Sequence, residues 1–170
     1  PLAAVVIVGV VNAVNFTDGI DGLNTTVSFF AFLSLALCAG LLSMTGLSAM
    51  GLASAAACIG FLIWNWHPAK VFMGDTGSLF MGGMVCALAF GMDLPLLLLP
   101  VGFVYLCEIL SVVLQVTYFK ATHGKRLFKM SPIHHHFEMC GWSEVKICLV
   151  FGLVALLGGA VAILCVAFGM

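Results

Sequence analysis

Residues 145–169 read VKICLVFGLVALLGGAVAILCVAFG, an apolar run in which Lys146 is the single charged residue. A helix needs about 20 such residues, at 1.5 Å of rise each, to cross the hydrocarbon core of a bilayer. The whole chain has the same character: 63% of its 170 residues are apolar and 8% are charged. A soluble domain carries about 25% charged residues. Lipid is therefore the expected solvent, and a net charge of −1 gives no electrostatic case for nucleic acid.

The length criterion predicts a polytopic, all-α transmembrane bundle. Its six spans cover residues 1–16, 24–45, 49–66, 77–92, 95–119 and 145–169. Pro100 is expected to kink the fifth span. We expect residues 1–170 to form one integral membrane domain. Because the chain opens inside an apolar stretch without a signal peptide, we also expect it to be the C-terminal portion of a longer protein.

Six spans place three polar loops on one side of the membrane, around residues 17–23, 67–76 and 120–144. Positively charged loops usually face the cytoplasm. Every basic residue falls on this side, so we expect the three loops to be cytoplasmic. The basic residues are Lys70, Lys120, Lys125, Arg126, Lys129 and Lys146.

The first loop carries two closely spaced aspartates, Asp18 and Asp21, with Asn15 just before them. In a helical turn, residues three apart lie on one face. Two such carboxylates suit a magnesium ion, or hydrogen bonds to ribose hydroxyls and base N–H groups. Helix capping is the alternative. It accounts for one aspartate but not for both.

The second loop contains Gly-Asp-Thr-Gly-Ser at residues 74–78, just before the fourth span. The free N–H groups and the positive dipole end of a helix N-terminus bind phosphate. Asp75 is then placed to hold the magnesium that phosphates need. A plain N-cap is the alternative. Phe72 is suited to stacking on a base, although an interfacial aromatic is also a common membrane anchor.

The third loop contains three consecutive histidines, His134, His135 and His136. Adjacent residues point in different directions on a helix, so at most two are expected to share a site. The His-x₃-His spacing of helical zinc sites is absent, and contact with phosphate or proton transfer is the favoured role. The basic run 125–129 either attracts an anionic lipid head group or only sets topology.

Two polar residues of the fifth span complete the set of candidates. Gln115 lies near the loop end of the span and is expected to reach the site. Glu108 lies in mid-span, where a polar group is costly unless it faces protein or water.

Three segments together resemble one family. NFTDGIDGL (residues 15–23), PAKVFMGDTGSL (68–79) and MSPIHHHFE (130–138) are similar to the loops of the phospho-N-acetylmuramoyl-pentapeptide-transferase family. The resemblance implies a ten-span enzyme of the bacterial inner membrane, of which this chain is the last six spans. It implies transfer from UDP-MurNAc-pentapeptide to undecaprenyl phosphate, giving lipid I and UMP for peptidoglycan synthesis. A homodimer is an open expectation.

The resemblance also implies roles for individual residues. Asp75 would bind Mg²⁺ and act in catalysis with Asp18 and the three histidines. The nucleoside side of the substrate would contact Asn15, Asp18, Asp21, Asn65 and Phe72. The family's paired-aspartate motif and essential lysine precede Pro1, so this chain alone is expected to be inactive.

Two other functions are alternatives to transfer of the muramoyl-pentapeptide phosphate. Transferases of N-acetylglucosamine phosphate share the aspartate loops, but the histidine loop resembles the muramoyl-pentapeptide branch. A metal transporter would keep several ionisable groups near the bilayer midplane, whereas Glu108 alone lies there.

Overall fold

The computed structural model describes residues 1–169, and this part of the chain is helical without any strand. A 3₁₀ turn at Pro95–Leu97 accompanies eight α-helices. These are α1 (Leu2–Thr17), α2 (Leu23–Leu41), α3 (Thr45–Asn65), α4 (Gly74–Gly91), α5 (Leu98–Val101), α6 (Phe103–Ala121), α7 (Ile133–Glu138) and α8 (Glu144–Ala167).

Four of these helices, α2, α3, α6 and α8, are long and apolar enough to cross a membrane. The prediction of an all-α membrane bundle is confirmed. The first and fourth predicted spans form α1 and α4. α1 is apolar but only 16 residues long.

Helix α2 lies at the centre of the bundle, packed against α3 and α8. Its side chains Val27, Phe32 and Leu35 are at most 1% exposed. In contrast, α3 keeps Ile59 and Ile63 on the outside. Outward apolar side chains suit a helix surrounded by lipid, where tight packing rather than water exclusion holds helices together.

Helix α1 packs against α4 and α6. The approach to α4 is close at Gly82, where an added Cβ would lie 2.7 Å from the Cα of Val11. A side chain at this position would push the two helices apart. One turn later in α1 and one turn earlier in α4, the same packing brings Asn15 next to Ser78 in the first turn of α4.

The fifth span was expected to be one helix with a kink at Pro100. In the structure it is instead divided into three segments. The 3₁₀ turn is followed by α5, and Gly102 separates α5 from α6. Proline has no N–H for the helical hydrogen-bond ladder, so Pro100 limits the helix before Gly102 to the short segment α5. The Gly102 N–H makes the last helical bond of α5, to the Leu98 carbonyl at 2.9 Å, and α5 ends there because Gly102 itself has non-helical backbone angles, φ −92° and ψ 15°. Helix α6 keeps 19 residues and spans alone.

The three polar loops meet at one end of the bundle. Asn15 contacts Asp75, and Asp21 contacts both His67 and Glu144. His134 in turn packs against Gly19. The convergence expected from the topology is therefore present.

Candidate functional site

Asn15 links the end of α1 to the first turn of α4. Its Nδ2 donates to Asp75 Oδ1 at 3.0 Å and to Ser78 Oγ at 2.8 Å. Ser78 Oγ also lies 3.1 Å from the Gly74 carbonyl oxygen, to which it donates. Helix α4 begins at Gly74, three residues before its predicted start, so Asp75 lies in the first helical turn. One amide thus orients an exposed carboxylate at a helix N-terminus.

The capping alternative for the aspartates is wrong. The N-cap residues of α2 and α4 are Gly22 and Met73, and neither helix has a side-chain cap. Asp18 instead follows the last turn of α1 as its C-cap. The carboxylates of Asp18 and Asp75 are therefore not used to satisfy the free N–H groups at these helix starts.

Asp18 and Asp75 lie close enough to influence each other. Burial raises the pKa of Asp18 to about 6, and the negative charge of Asp75 contributes to the rise. Both effects disfavour the ionised carboxylate. A divalent cation with a preference for oxygen ligands would relieve this repulsion, so the two carboxylates fit a magnesium ion.

Asp21 belongs to a separate group. Residues 18–22 form turns rather than the helical turn expected to align the two aspartates. Asp21 Oδ2 accepts from the Ala69 N–H at 2.9 Å and lies 3.0 Å from His67 Nδ1. Glu144 Oε2 accepts from the Asp21 N–H at 3.0 Å. These bonds join the first loop, the second loop and the start of α8.

Within residues 1–169, Asp21, His67 and Glu144 form the one group of three potential metal-ligating side chains, with ligand atoms within 4.8 Å of one another. Asp75 is not a member of this group. The internal bonds of Asp21 give the group a clear role in holding the loops together.

The two residues of the second loop that were predicted to contact the nucleoside differ in their exposure. Asn65 is buried, and its Oδ1 accepts from Thr25 Oγ1 at 2.7 Å. Its Nδ2 donates to the Val71 carbonyl at 3.0 Å. The amide therefore joins the end of α3 to α2 on one side and to the second loop on the other. Phe72 is 71% exposed, so its ring is free to contact a ligand.

Gln115 holds the third loop in place. Its Oε1 accepts from the backbone N–H groups of Leu127 and Phe128 at 3.1 and 2.8 Å. Its Nε2 donates to the Phe128 carbonyl at 3.2 Å. The side chain is nearly buried by these contacts, and it acts on the loop that precedes the histidines.

The three histidines lie on or beside α7 and point to different partners. His134 is buried, with Nδ1 3.0 Å from Glu108 Oε2. His135 pairs with Glu138. His136 Nδ1 accepts from a backbone N–H of the preceding loop at 3.1 Å. His135 and His136 are the two with exposed surface, and the expectation that at most two of the three share a site stays a prediction.

Residues 1–93, which include the Asn15–Asp75 contact, match the family described as glycosyl transferase family 4. The match covers more than half of the chain. The chain belongs to glycosyl transferase family 4.

Individual relatives extend the similarity beyond the matched region. The phospho-N-acetylmuramoyl-pentapeptide-transferase of Clostridium botulinum (strain Eklund 17B / Type B) is 48% identical over 157 residues, which cover 92% of this chain and 48% of the relative. The enzyme of the same name from Carboxydothermus hydrogenoformans is 53% identical, covering 89% and 46%. That of Halalkalibacterium halodurans is 47% identical, covering 96% and 50%. The resemblance predicted from the three loops is confirmed, and the chain spans about half the length of these curated relatives.

For several residues at the site of this chain, the sequence alone predicted no role. Ser78, His67 and Glu144 join the loops, and Glu108 pairs with His134, for which the resemblance had implied a catalytic role. The mid-span position of Glu108 was a usable signal, because a carboxyl group in a membrane helix needs a partner. No periodicity or spacing connects residues as far apart as Asp21 and Glu144.

Proposed function

We propose that a protein carrying this chain transfers phospho-N-acetylmuramoyl-pentapeptide from its UDP conjugate to undecaprenyl phosphate. The net reaction joins an oxygen of the lipid phosphate to the β-phosphorus of UDP. The bond from the β-phosphorus to the bridging oxygen breaks, and UMP leaves with the electron pair. The products are lipid I and UMP. The names of the relatives support the reaction class, and the Asn15–Asp75 contact is the observation that carries the site.

Asp75, with Asp18 beside it, would hold Mg²⁺. When bound, the ion supplies positive charge that stabilises the diphosphate and its leaving group. Asn15 keeps the Asp75 carboxylate oriented toward this role by donating to Oδ1. The start of α4 adds free backbone N–H groups, which favour phosphate oxygens. Positioning and charge neutralisation are the main contributions that a protein makes to phosphoryl transfer.

Phe72 is the best-placed contact for the uracil ring of the donor. Its exposed ring lies three residues before Asp75, so a base stacked on it would extend toward the phosphate-binding turn. Asp21 and Asn65 support this region through their bonds to Ala69 and Val71. We assign them to shaping the nucleoside side of the site.

A basic cavity beside the third loop suits the phosphate of the lipid carrier. It has a volume of about 350 Å³ and is lined by Lys120 and Arg126, with apolar walls from Val116, Phe119 and Met130. No acidic residue occurs between Glu108 and Glu138. A pocket that combines cations with apolar walls at the end of a spanning helix fits a lipid phosphate.

We propose that the bundle lies in a bacterial inner membrane and that the end carrying the three loops faces the cytoplasm. All basic residues lie in the second and third loops, in the last turn of α6 or in the first turn of α8. This distribution follows the positive-inside rule. UDP-linked donors are soluble, so a cytoplasmic site gives them direct access.

The test of the function is substitution of Asp75 in a full-length transferase that carries this sequence. We expect Asp75→Asn and Asp75→Ala to abolish Mg²⁺-dependent UMP release and lipid I formation, with the melting temperature unchanged. Asp93→Asn is the matched control, because Asp93 is exposed in a turn at the opposite end of the bundle. Normal turnover in both Asp75 variants would refute the assignment. A preference for UDP-N-acetylglucosamine over the pentapeptide donor would favour the related transferase branch.

A further inference from the structure

A carboxyl group and an imidazole are buried together between α6 and α7. Glu108 lies near the start of α6 and His134 in the first turn of α7, and both side chains are 0% exposed. His134 Nδ1 is 3.0 Å from Glu108 Oε2. The contact does not have hydrogen-bond geometry, and among residues 1–169 neither the Glu108 carboxylate oxygens nor the His134 ring nitrogens have a hydrogen-bond partner.

Stability alone does not account for such a pair. Replacing a buried ion pair with apolar residues of similar volume is often neutral or stabilising. A carboxyl group within a membrane-spanning helix adds a further cost. A pair of this kind therefore points to a role in fixing the geometry of a site.

The other side of the His134 ring faces the first loop. A Cβ added at Gly19 would lie 2.8 Å from His134 Cε1 and closer still to Nε2. The imidazole thus occupies the space that any side chain at position 19 would need. Because Gly19 follows Asp18 directly, the position of the ring determines where the backbone that carries Asp18 can lie.

We propose that Glu108 and His134 form a positioning pair that fixes the first loop, and with it Asp18, against the third loop. Glu108 holds the ring at Nδ1, and the ring supports the backbone at Gly19. Neither side chain is exposed, so the pair acts through Asp18 rather than on the substrate. The expected effect on catalysis rests on the proposed function. The structural role of the pair does not depend on that function.

Turnover by the full-length protein provides the first test. Misplacing a catalytic group by about 1 Å costs roughly 100-fold in rate, so we expect Glu108→Leu to lower kcat by about that factor with KM for the donor changed less than about twofold. Glu108→Gln keeps an oxygen in the same place and should restore most of kcat. Thr117→Val, on an exposed part of α6, is the control. A loss of kcat that only follows a lower melting temperature would overturn the proposal.

A double-mutant cycle tests the contact with Gly19. Gly19→Ala should lower kcat by itself, and the loss should be much smaller in a His134→Ala background, where the ring is absent. Gly9→Ala is the control, because a Cβ at Gly9 meets no atom within 4 Å. Equal losses in both backgrounds would show that the ring does not constrain position 19.

A label on Cys140 tests the structural part without any activity. Cys140 is exposed and lies two residues after α7. A spin label there should become more mobile in Glu108→Leu and return toward the original mobility in Glu108→Gln. Unchanged mobility in Glu108→Leu would overturn the pair's positioning role. If the mobility changes as expected but the protein shows no transferase activity, the proposed function fails and the positioning pair stands.

Discussion

Asp18 shows how a neighbouring charge and burial act on one side chain. Its pKa is about 6 because the carboxyl group is partly buried and Asp75 is nearby, with burial the larger cause. The folded chain therefore holds this proton more tightly than the unfolded chain, whose value is 3.8. The resulting contribution to stability is fully present below 3.8 and is lost as the pH rises through about 6.

The first prediction follows from the two causes. In metal-free protein, Asp75→Asn should lower the pKa of Asp18 but leave it above 3.8, because burial remains. Carbon-13 NMR titration of labelled aspartate in detergent measures this value directly. Asp93→Asn should leave the titration unchanged. An Asp18 pKa that is the same with and without Asp75 would show that the two carboxylates do not interact.

The second prediction concerns the amide of Asn15. Asn15→Ala removes the donor to Asp75 Oδ1 and Ser78 Oγ. Without it the Asp75 carboxylate is free to rotate, and we expect kcat to fall about 10- to 100-fold, as for loss of a positioning contact. Initial rates of UMP release measure the effect. Asn12→Ala, one turn earlier, should have little effect, because Asn12 bonds only the Val8 carbonyl in its own helix. Similar losses in the two variants would exclude a specific role for Asn15.

At the level of the elements, the spans and the loops between them were predictable, but the break within the fifth span was not. Apolar runs of spanning length gave the bundle, because membrane helices are selected mainly by hydrophobic length. The break at Gly102 lies in the backbone angles of that one residue, φ −92° and ψ 15°, which no composition window detects. Pro100 indicated that the helix would be disturbed there but not how.

The site was only partly predictable from the sequence. Asp18, Asp75 and Asn15 come from loops that topology places at one end, and the structure brings them together. The pairing of Glu108 with His134 joins residues far apart in sequence, and it follows from how α6 packs beside α7. Sequence identified the need of Glu108 for a partner, whereas the partner's identity required the fold.

The third prediction concerns the segment between α6 and α7. Gln115 makes three hydrogen bonds to the backbone of Leu127 and Phe128. With about 1 kcal/mol for each bond, Gln115→Ala should loosen this loop and raise trypsin cleavage at its exposed lysines and arginine by tenfold or more. Gln115→Glu keeps the acceptor for both N–H groups and should give an intermediate rate. Thr117→Val should match the unsubstituted chain. Unchanged cleavage in Gln115→Ala would show that other contacts hold the loop.

At the scale of the whole molecule, polar chemistry is concentrated at one end of an apolar bundle. The three loops contain nearly all of the charged side chains, and Asp93 is the acidic residue at the opposite end. Such segregation supports the proposed transfer from a soluble donor to a lipid acceptor. Glu108 is the exception within a span, and its partner His134 comes from the loop end.

The last prediction tests this sidedness. Cys140 in the third loop and Ser43 in the turn after α2 should face opposite sides of the membrane. A membrane-impermeant maleimide should label Cys140 only in inverted vesicles. In a Cys140→Ser background, Ser43→Cys should be labelled only in right-side-out vesicles, because positively charged loops stay in the cytoplasm. Cys38, Cys58, Cys86 and Cys148 are buried and should not react. Labelling of both positions from the same side would mean that the first and third loops lie in different aqueous compartments, and the contacts of Asp21 with Glu144 and of Gly19 with His134 would then not exist in the membrane.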